Sequence, residues 1–375
     1  MRRTVPLVAY DHQIFAYQRF GGVSRYVVEL ASRIPMVAPF ETRIVAPLHL
    51  NEYLRDAATP KFARWQALDF RRGVQLRGAV NRLLSPLMMK ALAPAIVHWT
   101  YFNPVRMPRR SLGIVTVYDM IHELYAQQFS ADDPTSANKR KSVERADHVI
   151  CISHNTKADL MRLFGVPESK ISVTHLGFSS AFSSDYSSAL ATSSSPTRPY
   201  LLYVGQRDGY KGFADAVRAY AASRRLTSEF DFLSFGGPEF HSAERQLFDS
   251  LGLRAGSVRR VGGSDAELAD TYRRARAFVY PSRYEGFGIP PLEAMACRCP
   301  VVCADTSSLP EVVGNAAISF DPADQDSLRD ALESACFDEE RRAALIEAGI
   351  ARAAHFSWDR CARETAALYT RLLAA

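Results

Sequence analysis

Residues 277–305 read AFVYPSRYEGFGIPPLEAMACRCPVVCAD. An apolar run (AFVYPS, 277–282) leads into a loop holding Gly286 and Gly288. A helical stretch starts at the Pro290–Pro291 pair, and a second apolar run (PVVCAD, 300–305) follows. Proline suits a first helical turn, where its missing N–H leaves no bond unmade. Strand, helix and strand in so short a stretch is the crossover unit of a parallel sheet. The same alternation extends outward in both directions. Toward the C-terminus comes AAISFD (316–321); toward the N-terminus come SVRRVGG (257–263), FDFLSFGG (230–237) and YLLYVG (200–205). Further upstream a second series appears: VPLVAY (5–10), TRIVAP (42–47), AIVHWT (95–100), GIVTVYD (113–119), HVICIS (148–153) and ISVTHL (171–176). These runs are rich in Val, Ile, Phe and Tyr and apolar on both faces, as in parallel strands covered by helices on each side. The expectation is an α/β chain of two Rossmann-like domains with parallel sheets facing each other across a cleft. The first domain takes 1–178, a Ser-rich linker 179–199 and the second domain 200–355. A terminal helix in 356–375 would pack back on the first domain.

A length of 375 residues suits two domains of ordinary size. Composition is globular, with 47% hydrophobic and 23% charged residues, which excludes disordered and membrane-spanning classes. No apolar run reaches the roughly 18 residues that cross a bilayer, and MRRTVPLVAYDHQIF lacks a secretory core. A cytoplasmic protein is therefore expected. Six scattered cysteines show no zinc spacing. Cys297 and Cys299 are open to a metal-ligand reading, but small buried residues in a reducing compartment account for them more simply.

In parallel sheets, ligands bind beyond the carboxyl ends of the strands. After YLLYVG stand Arg207 and Lys211, two cations suited to a diphosphate, although solvated turn residues would look the same. After AFVYPS the glycines expose amides, and the helix beginning at Pro290 aims its positive end at the same place. Glu293 is expected in that first turn, where the dipole alone would favour a carboxylate. Glu285 has no such local reason, and an acid beside a phosphate site is best explained as an acceptor for ligand hydroxyls.

The stretch Glu285-Gly-Phe-Gly-Ile-Pro-Pro-Leu-Glu293 resembles the E-x7-E motif of the retaining glycosyltransferases of family 4, a GT-B family. LLYVGQRDGYKGF is similar to that family's phosphate turn. EAMACRCPVVCADTSSLPEVVGNAAISFDPAD (293–324) and ERADHVICISHNTKADLMRLFGVPESKISV (144–173) are similar to its flanking segments. The resemblance implies that Glu285 binds donor-sugar hydroxyls and Glu293 those of the ribose. Arg207 and Lys211 would hold the diphosphate, and the amides of Gly286, Phe287, Gly288 and Ile289 would touch sugar and phosphate. The base would lie near Gly237 and the turn Gly262-Gly263-Ser264. Three departures stand out. Gly212 replaces a usual Asn, Tyr118 a usual His, and Arg298 a usual Gly at the helix end, where strain or a re-routed turn is expected.

In the first domain, Gly22 within Gly21-Gly22-Val23-Ser24-Arg25 could lie over the diphosphate, or simply start a helix. Tyr118, Asp119, His122 and Glu123 follow a strand and are candidate acceptor or sugar contacts, with Asp119 the preferred catalytic residue. His98 ends another strand, with a satisfied core position as its alternative. From Lys61 to Arg110 ten Lys/Arg face one acid, Asp69. Within that segment QLRGAVNRLLSPLMMKALAP (75–94) mixes apolar and basic residues, as does a helix lying on an anionic membrane. Its alternative is a core-packed helix with solvated cations outward. No nucleic-acid module accompanies the charge.

The expected function is a retaining, metal-independent hexosyltransferase using a nucleoside-diphosphate sugar and a glycan or lipid-linked glycan acceptor. GDP-mannose is the favoured donor, because the Arg-x-x-Tyr-Lys turn is similar to that of mannosyl members. The acceptor expected by analogy is a bacterial surface glycan such as lipopolysaccharide O-antigen. No cofactor and no metal are expected, since no Asp-x-Asp stands at a strand end and Asp132-Asp133 sits in a polar loop. A sugar-nucleotide epimerase or phosphorylase, or a non-catalytic sugar-nucleotide-binding component, stays open at this point.

Overall fold

The computed structural model describes residues 5–55, 61–62, 65–66, 73–102, 108–183, 198–207 and 209–375. Most of the Ser-rich linker, 184–197, lies outside them. The chain divides into two compact units: Met1–Gly177 together with Ser357–Ala375, and Phe178–Phe356.

The first unit holds β1 (Leu7–Tyr10), β2 (Glu41–Val45), β3 (Lys61–Phe62), β4 (Ile96–Trp99), β5 (Leu112–Val117), β6 (His148–Cys151) and β7 (Ile171–Val173). They form one sheet in the order β3-β2-β1-β4-β5-β6-β7, and every neighbouring pair is parallel. β4, β6 and the last five residues of β5 are fully buried, which is why the sequence shows no inside–outside alternation there. The chain winds outward from β1 to β3, returns to β4 and winds the other way, so the order reverses between β1 and β4.

The helix Trp358–Ala374 completes this unit although it comes last in the sequence. Trp358, Cys361, Ala362, Thr365, Ala366 and Tyr369 recur every three or four residues and are all buried. Tyr369 reaches the sheet, with its hydroxyl 2.6 Å from His98 Nδ1 and its ring 5.9 Å from Phe40. Arg33 Nη1 and Asp359 Oδ1 pair at 2.8 Å beside the helix Gly22–Val37.

The second unit holds β8 (Tyr200–Val204), β9 (Asp231–Phe235), β10 (Val258–Val261), β11 (Ala277–Tyr280), β12 (Val301–Ala304) and β13 (Ile318–Phe320). The all-parallel order is β10-β9-β8-β11-β12-β13. Its reversal falls between β8 and β11, so the loops after those strands flank the crevice where such sheets take ligands. Each of the twelve apolar runs carries a strand. Among the described residues, no helix is long and apolar enough to cross a membrane.

Candidate active site

The loops after β8 and β11 bring Lys211 and Glu285 together, Nζ to Oε1 at 2.7 Å. Tyr280 Oη donates to the same oxygen at 2.7 Å and Ser282 Oγ at 2.5 Å. Burial, and then the Glu285 carboxylate, push the Tyr280 phenol well above its ordinary range, so it stays a donor. The Glu285 amide donates to Ser307 Oγ at 3.0 Å, while Ser308 Oγ donates to the carbonyls of Glu285 and Phe287 at 2.9 and 2.6 Å. The loop is thus clamped by the segment after β12. Among the described residues, no donor reaches Glu285 Oε2. Because the side chain is 11% exposed, that oxygen is the open end of an otherwise fixed group.

Two backbone features hold this frame. Gly212 has φ +69°, a left-handed conformation that Asn tolerates, but a Cβ there would collide with the Pro281 carbonyl oxygen, so the space admits no side chain. That explains the absence of the Asn expected there. Gly288, at φ +126°, caps the helix Ile289–Ala296. The helix therefore begins at Ile289, not Pro290, and Glu293 is its fifth residue. This corrects the expectation that Glu293 lies in the first turn and removes the dipole as a reason for it. Glu293 is buried, and Tyr272 Oη donates to its Oε2 at 3.5 Å. The buried Gly286, Phe287 and Gly288 surround the helix start, and Ile289 is half-buried. At the other end Arg298 takes φ +64°, with its amide on Met295 O (3.0 Å) and that of Cys299 on Ala294 O (2.9 Å). The usual glycine cap is present in shape but carried by an arginine, so strain was the outcome, not a re-routed turn.

Arg207 is placed differently from Lys211. Its side chain is 3% exposed, its Nε donates to Glu244 Oε1 at 2.6 Å, and Nη2 donates to the carbonyls of Pro238 (2.7 Å) and Glu239 (3.2 Å). The guanidinium also lies 4.7 Å from the Phe240 ring centroid. The two cations expected to share one pocket have separate partners in this structure: Lys211 joins the loop after β11, and Arg207 ties down the loop after β9. Ser264 is likewise engaged, as the N-cap of the helix Asp265–Arg274, with Glu267 accepting from its amide (2.7 Å) and hydroxyl (2.8 Å).

In the first unit, Gly22 opens the helix Gly22–Val37 and is exposed, with nothing within 4 Å of an added Cβ. Asp119 Oδ1 accepts from the Ile121 amide at 3.0 Å. Glu123 Oε2 takes a hydrogen bond of 2.7 Å from Lys139, whose side chain is fully buried and whose Nζ also donates to the Asp119 carbonyl at 2.9 Å. Tyr118 is buried, donating to Thr100 O at 3.4 Å. His98 is a core residue: both ring nitrogens are bonded, to Tyr369 at 2.6 Å and Thr116 at 2.8 Å, and burial lowers its pKa to about 3. It takes the satisfied core position that was its alternative reading. His122 is half-buried, stacked on Phe129 at 4.1 Å.

Two family models match the chain: one described as Glycosyltransferase Family 4 over residues 20–182, and one described as Glycosyl transferases group 1 over 191–352. The chain belongs to the family 4 glycosyltransferases. As an enzyme it is a hexosyltransferase. The O-antigen chain mannosyltransferase B of Escherichia coli is 29% identical over 374 residues, spanning 94% of this glycosyltransferase and 96% of the relative. Among solved structures, a sucrose-phosphate synthase from Thermosynechococcus elongatus has a TM-score of 0.75 at 19% identity, covering 98% of this chain and 99% of that one. A HepE protein from Anabaena in complex with UDP-glucose has a TM-score of 0.71 at 15% identity, covering 98% and 100%. At such identities the likeness speaks to the fold alone, which is the two-domain GT-B type.

Sequence reasoning missed several members of these networks. Tyr280 and Ser282 flank Glu285 closely enough to have been proposed from spacing. Glu244 and Lys139 had no such signal. Asp11, next to the order reversal of the first sheet, was also missed: its Oδ1 accepts from Thr100 N (3.1 Å) and Oγ1 (2.6 Å) across β1 and β4. Its position directly after the first strand was the available clue.

Proposed function

We propose that this glycosyltransferase moves mannose from GDP-mannose to a hydroxyl of a surface-glycan acceptor, retaining the anomeric configuration and using no metal. The observation that carries the reading is the Lys211–Glu285 pair at the order reversal of the second sheet, beside the start of the helix Ile289–Ala296. Glu285 Oε2 would accept from a donor-sugar hydroxyl while Tyr280 and Ser282 keep the carboxylate oriented. Lys211 and the helix amides would neutralise the leaving diphosphate, which is the main electrostatic task of the step. Glu293 would bind the ribose. Arg207, engaged as it is with Glu244, would order the loop that meets the base, or exchange partners when diphosphate arrives. In this reading a leaving-phosphate oxygen takes the acceptor proton on the same face, so no protein nucleophile is needed. The mannosyltransferase relative supports the sugar. UDP-glucose, bound by the Anabaena neighbour, is the alternative donor. The test is product analysis with GDP-mannose and UDP-glucose in excess EDTA. An inverted anomer, or turnover abolished by EDTA, would sink the corresponding part of the proposal.

The same reading places the enzyme on the inner face of the plasma membrane. The helix Gly73–Leu92 turns Arg77, Asn81, Ser85 and Met89 inward, whereas Leu76, Leu83 and Leu87 are 50%, 69% and 60% exposed. Its apolar stripe therefore faces outward, with exposed Arg82 and Lys90 beside it. Exposed leucines among cations favour an anionic lipid surface. Of the basic segment 61–110, residues 63–64, 67–72 and 103–107 lie outside the described residues. Flotation with vesicles containing phosphatidylglycerol should carry the protein upward and fail for Leu83→Gln/Leu87→Gln; equal flotation of both proteins rejects the idea.

A further inference from the structure

The second unit has a cavity of about 430 Å³ at the edge of its sheet opposite the crevice, walled by the segments that enter β8, β9 and β10. That volume falls in the range of small-molecule sites. Arg198, Arg224 and Arg254 line it together with Thr227, Ser228 and Ser257, and among the described residues no acid does. None of these side chains belongs to the networks around Lys211, Glu285 or Arg207.

Positive charge is in excess there. Asp231, the first residue of β9, has a side chain only 6% exposed and serves three guanidiniums. Arg254 Nη2 donates to its Oδ1 at 2.6 Å, Arg259 Nη2 to its Oδ2 at 3.0 Å, and Arg198 Nε lies 3.4 Å from Oδ1. One carboxylate among three arginines leaves two positive charges over. Arg224 adds a third, with no hydrogen bond or ion pair of its side chain among the described residues. The side chains of Arg198 and Arg254 are 37% and 54% exposed, so both reach the open space with donors to spare. Guanidinium forks match the oxygens of phosphate, and a phosphate monoester carries about −1.5 to −2 at neutral pH, close to the excess.

The rest of the wall narrows the ligand further. Half-buried Thr227 donates its hydroxyl proton to the Ser223 carbonyl at 3.0 Å, and exposed Ser228 donates to the Arg225 carbonyl at 2.9 Å. With their protons engaged, both oxygens offer lone pairs to a ligand's hydroxyl donors. Tyr220, the aromatic residue of the described lining, is fully buried, so it presents no face on which a nucleobase could stack.

We propose that this cavity binds a small sugar phosphate, with its phosphate among Arg198, Arg224 and Arg254 and its hydroxyls on Thr227 and Ser228. It is a second anion site, at the far edge of the sheet from the crevice, and it does not depend on the transfer reading. Isothermal titration calorimetry tests it with mannose 6-phosphate, mannose, inorganic phosphate and dihexanoyl phosphatidic acid, all in excess GDP to fill the crevice. Mannose 6-phosphate should bind most tightly and mannose not at all. Arg224→Ala and Arg254→Gln should each weaken mannose 6-phosphate about tenfold, the scale of one charged hydrogen bond, while Lys211→Met leaves it unchanged. Arg224→Ala removes a side chain without partners in the fold, so it decides the matter if Arg254→Gln misfolds. No binding by the wild type, or undiminished binding in Arg224→Ala, overturns the site. Binding lost in Lys211→Met also overturns it, since the ligand would then sit in the crevice. Inorganic phosphate binding as tightly overturns the sugar phosphate as ligand, and tighter binding of phosphatidic acid overturns it in favour of a lipid headgroup.

Discussion

Two lysine–glutamate pairs, one in each unit, have the same 2.7 Å separation and opposite surroundings. Lys139 and Glu123 have side chains 0% and 7% exposed; Lys211 and Glu285 are 20% and 11% exposed. The first pair is sealed among Phe102, the Asp119 carbonyl and the helix Thr135–Arg145. Its charges have left water and depend on one another. The second sits at the mouth of a sheet crevice, with two hydroxyls ready to keep Glu285 satisfied if the lysine turns to another anion. Equal distance does not mean equal role: the sealed pair fixes a shape, and the open pair can change partner.

That contrast can be broken by one substitution made twice. Lys139→Met should lower unfolding free energy by about 3–5 kcal/mol, because Glu123 would remain buried without its counter-charge. Lys211→Met should cost about 1 kcal/mol or less, since Tyr280 and Ser282 still serve Glu285 and water can enter. Urea denaturation monitored by circular dichroism measures both, and equal losses would erase the distinction. Activity should sharpen the same comparison from the other side. Lys211→Met and Glu285→Gln should each reduce kcat/KM about a hundredfold or more, as expected for loss of one preorganised polar contact. Near-normal steady-state rates in both would mean that the open pair is not at the reacting centre. The smallest effect concerns the frame of the open pair. Arg298→Gly relieves a left-handed residue at the end of the helix that starts beside Glu285, and should stabilise by about 1 kcal/mol. A lower melting temperature in that variant would show that the arginine side chain matters more than its backbone strain.

How far the sequence was legible follows from the range of the forces involved. Strands were readable because burial on both faces leaves a local record, and all twelve apolar runs hold one. The loop carrying Glu285 was readable because glycine and proline mark backbone constraints directly. Lys139 was not, because it sits in the run Lys139-Arg140-Lys141, where composition suggests a solvated face. Only its spacing to the buried Ser142, Val143 and Ala146 shows that it points inward. Arg207 looked like a ligand cation because its partner, Glu244, lies 37 residues away and is brought near only by the sheet. The helix Gly73–Leu92 departs from the usual rule along much of its length: Asn81 points inward to bond the amide and carbonyl of Leu48 at 2.9 Å each, while Leu76, Leu83 and Leu87 stay outside.

The helix Trp358–Ala374 has a consequence for biogenesis. The second unit is one continuous stretch, whereas the first, though it begins earlier, lacks the wall that covers Tyr26, Phe40 and His98 until the helix Trp358–Ala374 has been made. The N-terminal unit therefore cannot finish folding before the unit that follows it in the chain has been synthesised. A chain truncated before Ser357 would keep every residue of the second unit yet leave the aromatic groove of Tyr26, Phe40 and His98 uncovered, a natural target for holdase chaperones.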